Sequence, residues 1–214
     1  MKSYRLTPYL LAVTLIITGC NLSVNKTIHI KDGTEERGAI NSVNGTIVIG
    51  KDCKIFGDCI SINGGIQVGE DSETSYLQTI NGSTDIGQNV TVYGNISNIN
   101  GEIKCSREVV VEGDITSVNG FIGLTKTRVQ GNIESHNGNI TLSDTSYVEG
   151  DIIIKKTQAD KKKIVIKLLN GTVVHDDIEV EDKDREVELF ISADSRVEGT
   201  INGAQVTGPD ASGG

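Results

Sequence analysis

"GDITSVNGFI", residues 113–122, is a phrase the chain nearly repeats three more times: "GDCISINGGI" at 57–66, "GNISNINGEI" at 94–103 and "GNIESHNGNI" at 131–140. A sequence this self-similar is read first for its period. Asn-Gly pairs stand at Asn44 and Gly45, Asn63 and Gly64, Asn81 and Gly82, Asn100 and Gly101, Asn119 and Gly120, and Asn137 and Gly138, so the spacings run 19, 18, 19, 19 and 18. Asn and Gly both tolerate positive φ, so each pair is expected to mark a corner.

Counting outward from each Asn gives the rest of the repeat. Four residues before it stand Ile40, Cys59, Leu77, Ile96, Ile115 and Ile133. Three after it stand Ile47, Ile66, Thr84, Ile103, Ile122 and Ile140, and five after it Ile49, Val68, Ile86, Cys105, Leu124 and Leu142. A third group follows with Ile55, Val92, Val111, Val129 and Val148. Each period holds three short apolar segments in two-residue alternation, which predicts strands rather than helix. Three strands per 18–19-residue coil, stacked at constant register, make an all-β, single-domain parallel β-helix, with right-handed coiling expected. Like residues stack on like, and no coil can bury its face alone. Ile115 is expected to face inward and Thr116 outward.

Composition fits this reading. Aromatics are 4% of 214 residues and Trp is absent, so the core must be built from Ile, Val and Leu. The formal net charge of −9 argues against a nucleic-acid partner, which needs a basic patch.

Residues 1–19 read as a signal peptide. "MKSYR" is a basic start, "LTPYLLAVTLIIT" is an apolar run too short for an ordinary span, and "ITGC" ends at Cys20. The run resembles a bacterial lipobox, which implies that Cys20 is diacylated and anchors the chain to the membrane; a plain signal peptide cleaved nearby is the alternative. Asn21, not being Asp, implies outer-membrane sorting. Cleavage would remove Lys2 and Arg5 and no acid, leaving a more acidic chain.

A second corner precedes each phrase, Gly followed by Asp58, Asn95, Asp114, Asn132 or Asp151, with Tyr76 interrupting. The alternation of Asp with Asn spares carboxylates from stacking on each other. Turn chemistry is the expected role; a calcium ladder is the competing one, although calcium needs carboxylates converging on a point. Cys53, Cys59 and Cys105 occupy inward positions otherwise filled by Ile, Val or Leu, so buried thiols are expected, with a Cys53–Cys59 disulfide as the second reading. His136 replaces the apolar residue found at Val43, Ile62, Ile80, Ile99 and Val118. No zinc motif is present, and neither a metal nor a cofactor is expected.

The coil pattern resembles the β-helix of polymer-forming, bactofilin-like proteins and of bacterial β-helical lipoproteins, over roughly 38–154 and "REVELFISADSRVEGTINGA" at 185–204. The resemblance implies a fold and carries over no catalytic residue. Bactofilins typically lack a secretion signal.

The expected organisation is a signal peptide at 1–19, a lipidated tether and cap at 20–37, regular coils over 38–154, and a charged loop, "KKTQADKKK", at 155–163. Irregular final coils and a polar cap follow at 164–204, then a flexible tail at 205–214. The loop is either a solvated excursion or an arm for an anionic surface. "EDSETSY" at 70–76 is the one other candidate insertion. The expected role is non-catalytic, structural or binding, on the periplasmic side of the outer membrane, with an envelope protein or polysaccharide as partner. A small carbohydrate-active enzyme is the alternative; its chemistry would need clustered carboxylates on one face.

Overall fold

The computed structural model describes residues 21–157 and 162–208, and these form strands and turns without a helix. The strands fall into three parallel sheets of 10, 10 and 9 members, and consecutive strands of the chain go to different sheets. One coil shows the plan: Ile115–Asn119 lies in the first sheet, Ile122–Thr125 in the second and Thr127–Val129 in the third. The chain then rejoins the first sheet at Ile133–Ser135, paired with the strand it left. The predicted three-strand solenoid is the observed fold.

The register explains why the sequence repeats. Ile96 pairs with Ile115, Ile115 with Ile133 and Ile133 with Ile152. Cys105, Leu124, Leu142 and Leu168 form a second column, and Val92, Val111, Val129, Val148 and Val174 a third. These columns meet in one continuous aliphatic core. β-Branched residues suit it, because they pack well on a pleated surface and are stiff in strands.

Both ends differ from expectation. The supposed tether begins as a strand: Asn21–Val24 pairs with Ile40–Val43 at the edge of the first sheet. Residues 205–207 are likewise not tail, for Gln205–Thr207 pairs with Val187–Ile191. The final coils lengthen to 26 and then 23 residues, yet keep parallel register. Among the described residues no separate cap covers the last coil: Ile201 and Val206 lie over the core columns of Ile178 and Leu189, and Val206 is 39% exposed. "EDSETSY" is no insertion either, because Glu73–Thr74 is an ordinary strand of the third sheet.

Candidate binding surface

Each corner is held by a different device. At the Asn-Gly corner the amides form a relay. Asn44 Nδ2 donates to Asn25 Oδ1 at 2.9 Å, and the pattern continues through Asn63, Asn81, Asn100 and Asn119 to Asn137 at 2.7–3.0 Å. From Asn44 to Asn119 each side chain donates a hydrogen bond to the coil before it and accepts one from the coil after. A carboxamide carries both functions on one planar group, which an ionised carboxylate cannot do. Asn25 extends the ladder one coil beyond the six pairs; Lys26 in place of Gly hides it from a motif search.

The expected reason for the glycines is corrected. Of the twelve residues in the six pairs, Asn44 at φ 59° and Gly101 at φ 148° have positive φ. What the corner requires is closeness between coils. A Cβ on Gly64, Gly82, Gly101, Gly120 or Gly138 would overlap the carbonyl oxygen of the corner glycine one coil earlier. Buried polar side chains brace this corner from inside: Asn98 Nδ2 donates to Gly82 O at 2.8 Å, and the hydroxyls of Ser117 and Ser135 donate to Gly120 O and Gly138 O at 3.2 and 2.9 Å.

At the Gly-[Asp/Asn] corner the side chain is an acceptor alone. Oδ1 of Asn95, Asp114, Asn132, Asp151 and Asp177 accepts the backbone N–H of residues 114, 132, 151, 177 and 200 in turn, at 2.7–2.9 Å. Asp and Asn serve equally here, so the alternation needs no electrostatic purpose, and Asp177 follows Asp151 directly. The N–H donated by Thr200 holds the Asp177 carboxyl below the usual range. Turn chemistry is therefore what these oxygens perform. Among the described residues no group of three or more His, Cys, Asp or Glu is placed to hold a metal ion.

The two corners make opposite predictions for the same exchange. Asn119→Asp sets a carboxylate against the Asn100 oxygen and is expected to cost ~1–2 kcal/mol. Asp114→Asn preserves its acceptor and should change stability by under ~0.5 kcal/mol. Urea unfolding of both variants at neutral pH checks the contrast; equal effects would contradict the assignment of donors and acceptors.

The third corner escaped the sequence reading. Asp52, Asp71, Asn89, Glu108, Lys126, Asp144 and Asn170 turn there with φ between 47° and 59°. Their side chains share no single task.

The amide ladder ends at a cation. Arg185, 4% exposed, donates from Nη1 to Asn137 Oδ1 at 2.9 Å across 48 positions of chain. Stacked amide dipoles leave their oxygen end here, and the guanidinium supplies the charge that complements it, as basic groups do at a helix C-terminus. Burial lowers the Arg185 pKa and the Asp182 charge opposes that shift.

Beside this end of the ladder runs an open groove of about 590 Å³. Asn100, Asn119 and Asn137 form one side, Phe121 and Asn139 contribute from just before strands of the second sheet, and Lys162 and Lys163 stand where the long excursion returns. The Phe121 ring lies across Gly123, where a Cβ would meet it. Asn139 Oδ1 also accepts the Val165 N–H at 2.9 Å, tying the returning strand to the groove. The groove is lined by amides, an aromatic side chain and two lysines.

The ends of the charged loop are pinned. Lys155 Nζ reaches Glu134 at 3.3 Å and Glu181 at 3.0 Å, while Lys163 Nζ reaches Glu186 at 3.0 Å and Glu188 at 2.8 Å. Burial disfavours the Lys155 ammonium, but the two glutamates hold its pKa above the ordinary value. The middle of the loop, 158–161, lies outside the described residues. His136 sits half-buried between the apolar outer column and Lys155, with Nδ1 buried and unbonded. Elsewhere on the outer faces carboxylates pair with bases: Lys54 with Glu73, Arg128 with Glu149, and both Arg196 and His175 with Glu198. These pairs are spread over separate coils.

Cys20 lies outside the described residues. Cys53, Cys59 and Cys105 are buried free thiols, so the Cys53–Cys59 bridge is not formed. Burial pushes the thiols of Cys59 and Cys105 up to about 12, the nearby Asp58 charge adding to the effect at Cys59. Burial shields all three thiols from reagent, and at Cys59 and Cys105 it also suppresses the reactive thiolate, so alkylation of the native protein should leave all three unmodified and denaturation without reductant should expose all three to label. Labelling Cys105 alone would establish the bridge instead.

Compared with known proteins, the chain matches no family model, no curated protein and no solved structure.

Proposed function

We propose that the protein is a lipid-anchored component of the bacterial envelope with a non-catalytic, structural or binding role. Cys20 carries the lipid and the solenoid faces the periplasm from the outer membrane. The observation that carries the non-catalytic part is the use made of the carboxylates. Those of the Gly-[Asp/Asn] corner accept backbone N–H groups coil by coil, and many on the outer faces are paired with a Lys, Arg or His. Acid–base chemistry on a sugar needs two such groups converging, unencumbered, on one bond; where carboxylates do approach each other, Glu134 with Glu181 and Glu186 with Glu188, a lysine ammonium engages both. The groove beside Asn137 is the surface offered to a partner, either an envelope protein or a polysaccharide.

Two measurements test this. Cys20→Ser should abolish lipid modification in the intact mass and shift the protein from the membrane to the soluble fraction; a variant still lipidated and membrane-bound would overturn the anchor. Incubation of the purified protein with envelope polysaccharides should release no new reducing or unsaturated ends. Such release would turn the reading to the carbohydrate-active alternative.

A further inference from the structure

The chain contains eight Asn-Gly dipeptides: the six of the ladder, Asn170 with Gly171, and Asn202 with Gly203. This dipeptide is chemically labile, because an unhindered glycine nitrogen can attack the side-chain carbonyl of the preceding asparagine. The reaction requires the amide to leave its hydrogen-bonded position and swing toward the next residue's backbone. The fold treats the eight copies very differently.

Each ladder asparagine is held on both sides. Asn44, Asn63, Asn81, Asn100 and Asn119 donate to one neighbouring amide and accept from another, and Asn137 donates to Asn119 and accepts from Arg185. Asn170 has one side-chain anchor, its Nδ2 donating to Asp144 Oδ1 at 2.9 Å. Among the described residues Asn202 has no inter-coil side-chain anchor. Its Nδ2 donates to Thr200 Oγ1, two residues away and just before its own strand, at 3.2 Å, and no donor to its oxygen is seen among the described residues. Asn202 and Gly203 are both exposed, and Gly203 turns out of the strand with φ +83°.

We propose that Asn202 is a site of spontaneous deamidation, and that the ladder protects the other asparagines of the repeat from the same reaction. The Gly203 nitrogen bonds to Asn202 Cγ, its proton leaves with the side-chain nitrogen as ammonia, and a cyclic imide forms. Water then opens either carbonyl–nitrogen bond of the ring, giving aspartate or isoaspartate with no change of oxidation state. The new carboxylate lies beside Glu179, the register partner of Asn202. Like charges on adjacent strands repel, so the modification loosens the terminal strand Ile201–Asn202 and puts a negative charge on the open end of the solenoid.

The test is incubation of the folded mature protein in mildly alkaline buffer, followed by proteolysis and mass spectrometry that separates Asp from isoAsp peptides. The Asn202 peptide should convert first. Each ladder peptide should convert roughly fivefold more slowly, the factor that breaking one additional net hydrogen bond imposes. A parallel sample in urea should convert ladder sites and Asn202 at similar rates. Conversion of ladder sites as fast as Asn202 in the folded protein would overturn the proposal. So would ladder sites that stay slow in urea, since the protection would then not come from the fold.

Discussion

Ile115→Ala is expected to lower unfolding free energy by ~2–5 kcal/mol, the usual range for truncating a fully buried aliphatic side chain. Ile115 is 0% exposed and lies between Ile96 and Ile133 in one column. Backbone hydrogen bonds fix the spacing of the coils above and below, so they cannot close on the space left behind. Thr116 is its control. That side chain points outward between Ser97 and Glu134, and Thr116→Ala should cost well under ~1 kcal/mol. Urea unfolding of both variants reads the register of the coil; equal costs, or the reverse order, would contradict the inward assignment of Ile115.

A single methyl group at the corner should be as harmful as removing most of a core side chain. Gly120→Ala is expected to cost about 3 kcal/mol or more, at or above the upper end of overpacking penalties. The new Cβ would overlap the Gly101 carbonyl, which is backbone and cannot rotate away. The coils must separate there, and the hydrogen bond that Asn119 Nδ2 donates to Asn100 Oδ1 at 3.0 Å loosens with them. Gly33→Ala is the comparison: its φ of +71° is also unfavourable for alanine, but nothing lies within 4 Å of the added atom. The substitution there should cost about 1 kcal/mol, the ordinary penalty for a left-handed conformation. A Gly120 variant no worse than the Gly33 variant would show that conformation, not contact between coils, fixes the glycine.

The parts of this fold that were legible in the sequence are those whose physical requirement recurs every coil. Core columns must repeat because each residue packs on its counterpart, so Ile96, Ile115 and Ile133 announced themselves. The Asn-Gly corner was legible as letters but not as physics. A positive φ is a property of one residue, whereas the observed requirement is an amide-to-amide hydrogen bond and a backbone approach to another coil. The corner containing Glu108 and Lys126 was silent because its demand is conformational and several side chains meet it. The strand Asn21–Val24 looked like a tether because its role depends on pairing with Ile40–Val43, which nothing in "NLSV" itself reveals. Arg185 was the least accessible: its partner Asn137 is 48 positions away, and the contact depends on how the lengthened coils return. The candidate groove shares that difficulty, because one of its walls is made where an excursion ends.

Stacking coils through hydrogen bonds that run along the solenoid axis has a mechanical consequence. A load applied between the two ends pulls directly on those bonds, and among the described coils an end coil is the one held from one side alone. Extension should therefore proceed as peeling, one coil per event. Each 19-residue coil that lets go exchanges ~4.8 Å of height for about 65 Å of extended chain. Such a protein would act as a stepwise force limiter, lengthening more than tenfold per released coil while those still stacked stay rigid.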